Sequence, residues 1–288
     1  MRAVLEVGGS HVTAAIVDCA SNKVLETRRL ELDSSGSAEM IVQTLVDGVE
    51  GLGSRARGLP LVVAIPGPFD YDHGVGDFEG VAKFGALRGL NLGEVLGARL
   101  NSSVCFVNDV TAFGIGQYEL TGRPERMIAL TLGTGVGSCF LESGKPVEDG
   151  PGVPPNGWVY LLQHAGRPIE ETFSTRAIVS AYQRESGHRL EVREIAEMAR
   201  DGDPVAAGVL QHSFAALAAT LSPWVSAFRA EVVAIGGSIA NSWDLIEKWL
   251  VPGIREVPAS GAAVRVVKAA DSEASALVGA ARFGESCC

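Results

Sequence analysis

Two glycine-rich turns, which lie about 125 residues apart, place the strongest constraint on what this chain can fold into. Gly8-Gly9-Ser10 and Gly133-Thr134-Gly135 each follow an apolar run, and each leads into another such run. The pattern predicts a strand, a tight turn and a returning strand. Because the turns lack bulky side chains, backbone N–H groups and a small hydroxyl can approach a phosphate group closely there. Two such hairpins indicate a protein that binds phosphates.

Neither turn is one of the common nucleotide fingerprints. No Gly-Lys-Ser/Thr follows, as a P-loop requires, and the next element is a strand, whereas a Rossmann fingerprint opens a helix. A single Gly-Gly-Ser turn is often only a turn. The second turn is more specific, because Gly133, Gly135 and Gly137 fall within five residues at a strand end. Glycines lower local order there, and this cost is expected where a ligand must approach the backbone. The two turns together favour phosphate binding.

Asn108 and Asp109 stand at the end of the apolar run of residues 104–107 and precede a helical pattern over residues 110–120. Asp and Asn are favoured as helix caps, which gives a structural interpretation. In a phosphoryl-transfer enzyme, Asp109 would accept the proton of the attacking hydroxyl, and Asn108 would hydrogen-bond a neighbouring hydroxyl. The two residues alone leave both interpretations open.

A third turn, Gly236-Gly237-Ser238, follows the apolar run of residues 232–235 and is predicted to open a helix. Such a turn suits the close approach of an adenosine or its phosphates to the helix N-terminus. A simple turn between a strand and a helix explains the same residues equally well.

The order of the predicted elements is that of an α/β protein with duplicated mixed β-sheets. The predicted strands cover residues 3–7, 12–18, 23–30, 61–65, 104–107, 127–132, 138–141, 232–235 and 264–267. The predicted helices cover residues 37–52, 92–100, 110–120, 174–183, 192–200, 205–228, 245–250 and 272–283. For a chain of 288 residues, two lobes around a central cleft are the default expectation. We predict no regular structure over most of residues 142–168.

The domain boundary is predicted where Thr121-Gly122-Arg123-Pro124 breaks a helix. The first, smaller domain then covers residues 1–121 and carries the acceptor site and the first phosphate turn. The second, larger domain covers residues 122–271 and carries the second phosphate turn and the nucleotide site.

Composition excludes several classes of function. The formal charge of −10 argues against a nucleic-acid partner, because phosphate backbones need a basic face. With 47% hydrophobic residues the chain can form a packed core, but no run approaches 18 consecutive apolar residues, so we expect no membrane span. The N-terminus shows no leader pattern, and the five cysteines lack disulfide-framework spacing. We therefore expect a cytoplasmic protein.

Taken in order, these segments resemble the ROK family of sugar kinases and sugar-responsive repressors, within the actin-like ATPase superfamily, over most of the chain. Residues 6–11 resemble the family's Asp-x-Gly-Gly-Thr-Lys phosphate motif, with Glu6 in place of Asp and Ser10 in place of Thr. Residues 107–112 resemble the Asn-Asp-Ala-Asn-Ala stretch that holds the catalytic base. Residues 130–137 resemble the second phosphate motif and are the most specific match.

Three further segments complete the resemblance and the fold that it implies. Residues 65–70 are similar to the family's Pro-Gly-Pro-Val-Asp segment, residues 234–238 to its adenosine segment, and residues 274–281 to its closing helix. In the family this helix packs back on the first lobe. The resemblance implies a two-lobed actin-like, ribonuclease H-like fold in which a closing helix over residues 272–288 joins the first domain.

The resemblance also implies an ATP-dependent kinase that transfers the γ-phosphoryl group to a hydroxyl of a hexose or sugar-like cyclitol, with Asp109 as general base. Mg²⁺ is expected to neutralise charge, held through Glu6 and the nucleotide phosphates. The residues expected to bind the nucleotide are Glu6, Gly8, Gly9, Ser10, His11, Gly133, Thr134, Gly135, Gly137, Gly236 and Gly237. Those expected to position the acceptor are Gly67, Asn108, Asn156, Tyr160, His164 and Glu170.

The substrate loop departs from the family pattern. The family has Glu-x-Gly-His followed by a Cys-x-Cys-Gly-x-x-Gly-Cys zinc cluster, whereas residues 155–158 read Pro-Asn-Gly-Trp and residues 140–286 contain no cysteine. We therefore expect no structural zinc. Asn156, and either Tyr160 or His164, are expected to replace the sugar-contacting Glu and His. Residues 169–174 do resemble the family's Leu-Glu-x-x-x-Ser, which assigns Glu170 to a sugar hydroxyl.

Several alternatives stay open at the level of sequence. A non-catalytic sugar- or nucleotide-binding sensor would bind ligand without turnover, and an ATPase activator or chaperone of the superfamily would hydrolyse ATP without an acceptor. We do not expect a repressor, since the first motif begins at Glu6 and no helix-turn-helix precedes it. The acceptor can be glucose, mannose, fructose, an amino or deoxy sugar, or a cyclitol, and the donor can be polyphosphate. A homodimer is compatible with the resemblance.

Overall fold

The computed structural model describes residues 1–81, 83–255 and 263–287, which form fourteen β-strands and nine α-helices. The strands are β1 (Arg2–Val7), β2 (His11–Asp18), β3 (Lys23–Glu31), β4 (Leu61–Ile65), β5 (Phe69–Asp70), β6 (Val75–Gly76), β7 (Val104–Asn108), β8 (Arg126–Leu132), β9 (Val136–Glu142), β10 (Lys145–Pro146), β11 (Gln163–His164), β12 (Arg167–Pro168), β13 (Val232–Gly236) and β14 (Arg265–Lys268). The helices are α1 (Ala38–Glu50), α2 (Leu92–Leu100), α3 (Asp109–Leu120), α4 (Thr175–Ser186), α5 (Val192–Arg200), α6 (Pro204–Phe228), α7 (Trp243–Trp249), α8 (Val251–Arg255) and α9 (Ser272–Cys287). Cys288, the last residue assigned to the closing helix by the sequence, lies outside the described residues.

The chain divides into two compact units. Unit 1 contains Met1–Leu120 and Glu273–Cys288, and unit 2 contains Thr121–Ser272.

Unit 1 is built on a five-stranded sheet with the order β3-β2-β1-β4-β7. The pairs β1–β2 and β2–β3 are antiparallel, whereas β1, β4 and β7 run parallel. The carboxyl ends of parallel strands lie at the same edge of a sheet, so the segments that follow Val7, Ile65 and Asn108 meet there. The unit 1 residues predicted to bind ligands lie in or beside these segments.

Alternating side chains give the unit 1 sheet two apolar faces. Leu5 and Val63 point into a core with α1 and α2, whereas Val4 and Val62 point into a second core with α3 and α9. Because the strands bury both faces, their sequences read as continuous apolar runs. The helix α3, whose first residue is Asp109, is thereby fixed against the sheet.

The contact between α3 and α9 depends on two glycines. A Cβ atom on Gly116 of α3 would collide with the carbonyl of Ser275, and one on Gly279 of α9 would collide with the carbonyl of Ala112. The two helices therefore approach at backbone distance. This contact sets the position of the helix that carries Asp109.

Unit 2 repeats the sheet plan of unit 1. Its five strands have the order β10-β9-β8-β13-β14, with β8, β9 and β10 antiparallel and β8, β13 and β14 parallel. The helices α4 to α8 contribute to one apolar core. Two mixed sheets with matching order confirm the predicted duplicated α/β architecture.

Helix α6 is long and apolar enough, by length and composition only, to cross a membrane. In unit 2, however, 56% of its most apolar window is buried inside the protein, and Leu210, Leu217 and Leu221 lie in the core. A helix that is buried in this way is expected in the centre of a globular domain.

The stretch predicted to be irregular, residues 142–168, contains short elements. β10 extends the main sheet of unit 2, and β11 and β12 pair with each other. Two single turns of 3₁₀ helix, Pro155–Gly157 and Val159–Leu161, lie between them. Elements of two or three residues carry too little periodicity to be recognised from sequence.

Candidate functional site

The turn between β1 and β2 is a tight hairpin, as predicted. The N–H of Gly8 donates to the carbonyl of His11 at 2.8 Å, and the N–H of Leu32 donates to the carbonyl of Ser10 at 3.0 Å. A Cβ atom on Gly8 would lie 3.1 Å from Cε1 of His11, so a larger residue would press on that ring. The side chain of Ser10 is exposed at the tip.

Glu6 lies on β1 just before this turn, with a side chain that is 18% exposed. Its Oε2 atom is buried and has no hydrogen-bond partner among the described residues. Burial raises the pKa of Glu6 to about 7; the charges of Asp109 and Glu273 also raise it, and that of Arg29 lowers it. A buried carboxylate oxygen without a partner is costly unless a proton or a cation satisfies it.

His11 and Glu273 form a polar cluster with Glu6. The ligand atoms of these three side chains lie within 4.8 Å of one another, and Nε2 of His11 is 4.0 Å from both carboxylates. Glu273 accepts hydrogen bonds from Arg29 at 2.5 Å and from Thr13 at 3.1 Å. The unpartnered oxygen of Glu6 suits Mg²⁺, which prefers oxygen ligands, so the residues present fit the predicted ion.

The surroundings of His11 favour its neutral imidazole. Burial lowers its pKa, the charge of Arg29 lowers it further, and the charge of Glu273 raises it only in part. At the position of the lysine in the resembling motif, this chain therefore has a histidine whose neutral form is favoured.

Asn108, rather than Asp109, caps helix α3. Its Oδ1 accepts hydrogen bonds from the N–H groups of Val110 at 3.0 Å and Thr111 at 3.2 Å, and the helix includes Asp109 as its first residue. The cap interpretation therefore applies to Asn108. The one-residue difference arises because both residue types cap helices well.

Tyr71 holds the amide of Asn108 in place. Nδ2 of Asn108 donates to the Tyr71 hydroxyl at 3.0 Å, and that hydroxyl donates to the carbonyl of Ile65 at 3.1 Å. A Cβ atom on Gly67 would lie 3.4 Å from the same hydroxyl, so Gly67 and Asn108 lie close together. One N–H of the Asn108 amide is left for a ligand.

Asp109 lies at the carboxyl edge of the sheet, and burial raises its pKa above the ordinary value of 3.8. The hydrogen bond from the N–H of Val110, at 2.9 Å, and the charge of Lys83 both oppose this rise. A carboxyl group with a raised pKa is suited to taking up a proton.

The turn between β8 and β9 in unit 2 is held by two later segments. The carbonyl of Gly133 accepts from the N–H of Thr175 at 3.1 Å and from its hydroxyl at 2.9 Å. The N–H of Val136 donates to Oε1 of Glu170 at 2.8 Å, and a Cβ atom on Gly135 would collide with that oxygen. Glu170 therefore supports the turn through one oxygen and has Oε2 left for a ligand.

At the tip of this turn, Thr134 is exposed, and Gly137 lies on β9, where it pairs with Thr131. The tip therefore presents a small hydroxyl and glycines, the residue types on which the prediction of phosphate binding rests.

The Gly236-Gly237 turn lies against the Gly133 hairpin. Gly237 has φ +88°, and a Cβ atom on it would collide with the backbone of Leu132, so this position requires glycine. A Cβ atom on Gly133 would lie 3.2 Å from Oγ of Ser238. The turn opens a 3₁₀ helix, Ser238–Ser242, which leads into α7.

The segment of residues 155–161, which contains Asn156 and Tyr160 of the predicted acceptor site, is attached to β9 through Ser138. The hydroxyl of Ser138 donates to the carbonyl of Gly157 at 2.6 Å and accepts from the N–H of Val159 at 2.9 Å. Trp158, which is 43% exposed, stacks on Tyr160 with ring centroids 5.6 Å apart and planes at 30°. The segment thus presents an aromatic pair.

Of the residues expected to replace the family's Glu and His, the structure brings Tyr160 to Glu170. Burial raises the pKa of Tyr160, and the charge of Glu170 raises it further. Asn156 is exposed with φ 57°, and His164 lies on β11, paired with Arg167. In the described part of the chain, no hydrogen bond or ion pair joins Asn156 or His164 to Glu170.

Sequence reasoning missed Lys83, Glu273 and Thr175. Lys83 lies far along the chain from Gly9, and Glu273, in the predicted closing helix, lies far along the chain from His11 and Thr13. Thr175 directly follows Ser174, the N-cap of α4. A serine at a helix start is the local sequence signal near Thr175, and it gives no sign of the contact with the second turn.

Comparisons with known proteins find similarity over most of the chain. The sequence model of the ROK family matches residues 2–285. A glucokinase of Thermotoga maritima is 23% identical over 271 residues, which cover 84% of this chain and 83% of that protein. An N-acetylmannosamine kinase of Yersinia pseudotuberculosis is 24% identical and covers 98% of this chain and 97% of its own.

A solved structure supports the fold. The structure of a ROK family glucokinase from Streptomyces griseus, in complex with glucose and AMPPNP, matches with a TM-score of 0.75 at 22% identity, over 98% of each chain. This likeness confirms the predicted actin-like ATPase fold with two mixed sheets.

Proposed function

Because the chain belongs to the ROK family, we propose that it is a kinase that transfers the terminal phosphoryl group of ATP to a hydroxyl of a hexose or a sugar-like cyclitol. The observation that carries the proposal is Asp109, which lies at the sheet edge that bears the Gly8 turn and whose carboxyl pKa burial raises. The glucokinase and N-acetylmannosamine kinase relatives support a sugar as acceptor. ATP is most available in the cytoplasm, so the proposal includes that location.

In the proposed reaction, the acceptor oxygen attacks the terminal phosphorus, and the bond from this phosphorus to the β–γ bridging oxygen breaks. The hydroxyl proton passes to the carboxylate of Asp109. Asn108 and Gly67 orient the acceptor, and Oε2 of Glu170 accepts from a further hydroxyl. A fixed acceptor geometry converts binding energy into rate.

The two hairpin turns and the Gly236-Gly237 turn are the proposed binding groups for the nucleotide. Backbone N–H groups with the hydroxyls of Ser10 and Thr134 would bind its phosphates. Glu6 is the residue that would hold Mg²⁺, and the bound ion would neutralise negative charge on the phosphates.

The test is ADP release with Mg-ATP against a panel of hexoses, amino sugars and cyclitols, repeated with polyphosphate as donor. Turnover that requires one acceptor supports the kinase. ATP hydrolysis that ignores the acceptor favours an ATPase. Tight binding of ligands without turnover favours a sensor, a candidate supported by the altered substrate segment at residues 155–158.

Replacing the base gives the first prediction. Asp109→Asn removes the proton acceptor but keeps the shape and the hydrogen bond from Val110, so we expect kcat to fall by about 10²–10⁴-fold with an unchanged melting temperature. Kinetics and circular dichroism of the purified variant check both parts. A variant that retains more than a tenth of wild-type kcat would show that Asp109 is not the base.

A further inference from the structure

Lys83 is held at the first phosphate turn by its neighbour. Phe84 is buried, its N–H donates to the carbonyl of Ser34 at 2.7 Å, and its ring lies 5.3 Å from that of Phe78. Its φ of 61° lies in the left-handed region, which aromatic residues rarely adopt. The backbone next to Lys83 is therefore fixed in an uncommon conformation.

The side chain of Lys83 lies across Gly9. A Cβ atom on Gly9 would lie 2.5 Å from Nζ, 2.7 Å from Cε and 2.9 Å from Cδ of Lys83. The side chain of Lys83 thus occupies space that is open because Gly9 has no side chain. The ammonium group lies at the centre of the predicted phosphate-binding turn.

The positive charge of Lys83 also acts on the proposed base, since it lowers the pKa of Asp109. The ammonium group is exposed, and within residues 1–81, 83–255 and 263–287 it has no ion-pair or hydrogen-bond partner. The nearby Arg29 is already paired with Glu273. An ammonium group without a counter-ion beside a phosphate turn is ready to bind an anion.

We propose that Lys83 is a catalytic residue that binds the terminal phosphate of the donor and stabilises the charge on its oxygens during transfer. This inference rests on the proposed kinase function and adds a group that lies outside the motifs of the resemblance. The same atoms move as in the proposed reaction: the acceptor oxygen bonds to phosphorus, the bridging bond breaks, and Asp109 takes the proton. Lys83 keeps its own proton and acts through its charge.

The ammonium charge of Lys83 takes the place of the lysine that the first phosphate turn lacks. Position 11, which is lysine in the resembling motif, is His11 in this chain, and its Nε2 atom lies 4.0 Å from the carboxylates of Glu6 and Glu273. Lys83 reaches the same turn from residue 83, through Gly9. A cation at this turn is therefore supplied by a different part of the chain.

The experiment compares Lys83→Met and Lys83→Arg with wild type. Lys83→Met keeps the length of the side chain and removes its charge, so we expect kcat to fall by about 10²-fold. Lys83→Arg should recover part of this loss. Lys23→Met, which removes an exposed lysine on β3, is the matched control and should match wild type.

A second readout isolates the terminal phosphate. Calorimetry with AMPPNP and with ADP, both with Mg²⁺, should show that Lys83→Met weakens AMPPNP binding about tenfold and leaves ADP binding unchanged. An unchanged preference between the two nucleotides, or a kcat within threefold of wild type, would overturn the proposal. A variant that changes only the KM for the acceptor would also overturn it, because the lysine would then recognise the acceptor.

These outcomes separate the two proposals. If wild type turns over no acceptor but binds AMPPNP, the kinase function fails, while the AMPPNP and ADP comparison still tests whether Lys83 binds the terminal phosphate. If wild type turns over and Lys83→Met equals it, only the role of Lys83 fails. If wild type binds neither nucleotide, both proposals are overturned.

Discussion

Glu6 is the residue whose electrostatic environment is most clearly defined. Its side chain is mostly buried, and its Oε2 has no hydrogen-bond partner in the described part of the chain. Burial raises its pKa to about 7, with further contributions from the negative charges of Asp109 and Glu273. Since the ordinary pKa is 4.5, the folded protein holds this proton more tightly than the unfolded chain. Stability from the bound proton is complete below pH 4.5 and is lost as the pH rises to 7.

This linkage predicts the behaviour of Glu6→Gln without metal. The amide cannot ionise, so the variant does not lose stability through this side chain as the pH rises. The difference in free energy of unfolding between variant and wild type should therefore shift in favour of the variant by about 2–3 kcal/mol from pH 4.5 to pH 8. Urea unfolding at several pH values measures this difference. Glu31→Gln, an exposed position on β3, is the control, and parallel pH profiles for Glu6→Gln and wild type would contradict the prediction.

Among the elements, the contact between α3 and α9 is the closest. Gly116 and Gly279 allow each helix to touch the backbone of the other, and their contact lies on the sheet face opposite α1 and α2. Since Asp109 opens α3 and Glu273 lies in the first turn of α9, this packing also fixes two charges of the candidate site.

Filling this contact should destabilise the protein. Gly279→Ala places a methyl group against the carbonyl of Ala112, so we expect a loss of about 1–3 kcal/mol, larger than the gain of helix propensity. Gly208→Ala in α6 meets open space and should be neutral or stabilise by up to about 1 kcal/mol. Thermal unfolding of both variants checks the contrast, and equal shifts would contradict it.

The elements with local signals were predictable. Helices α2 and α5 match their predicted bounds, because Asn91 caps the first and Glu191 and Glu194 form a capping box in the second. Lys83 carries no such signal, since its proposed role depends on Gly9, which lies 74 positions earlier and is brought close by the fold alone. The two phosphate turns could be predicted, whereas the charges around them could not.

The molecule as a whole repeats one sheet plan, but its two units are assembled differently along the chain. Unit 2 is one continuous segment, whereas unit 1 combines the first 120 residues with helix α9. The apolar core that α9 shares with β1 and β4 includes Leu277 and Ala280. Unit 1 therefore needs residues from both sides of unit 2 in the sequence.

Removal of α9 should destabilise unit 1 and leave unit 2 folded. A chain of residues 1–271 loses one side of the core around Val4 and Val62, so we expect fast hydrogen exchange in β1 and β4. All four tryptophans lie in unit 2, so their fluorescence should stay native. Protection of β1 equal to that of the full chain would contradict this expectation. Leu277→Ala is a milder variant, which we expect to lower the free energy of unfolding by about 2–4 kcal/mol.

The late position of α9 has a consequence for synthesis on the ribosome. The segment that carries Asp109 is translated early, yet its helix has no packing partner at Gly116 until α9 has been made. Unit 2 can complete its fold during this interval. Unit 1 would then reach its final packing only after the last described helix leaves the exit tunnel, so the helix that carries Asp109 is fixed in place late in synthesis.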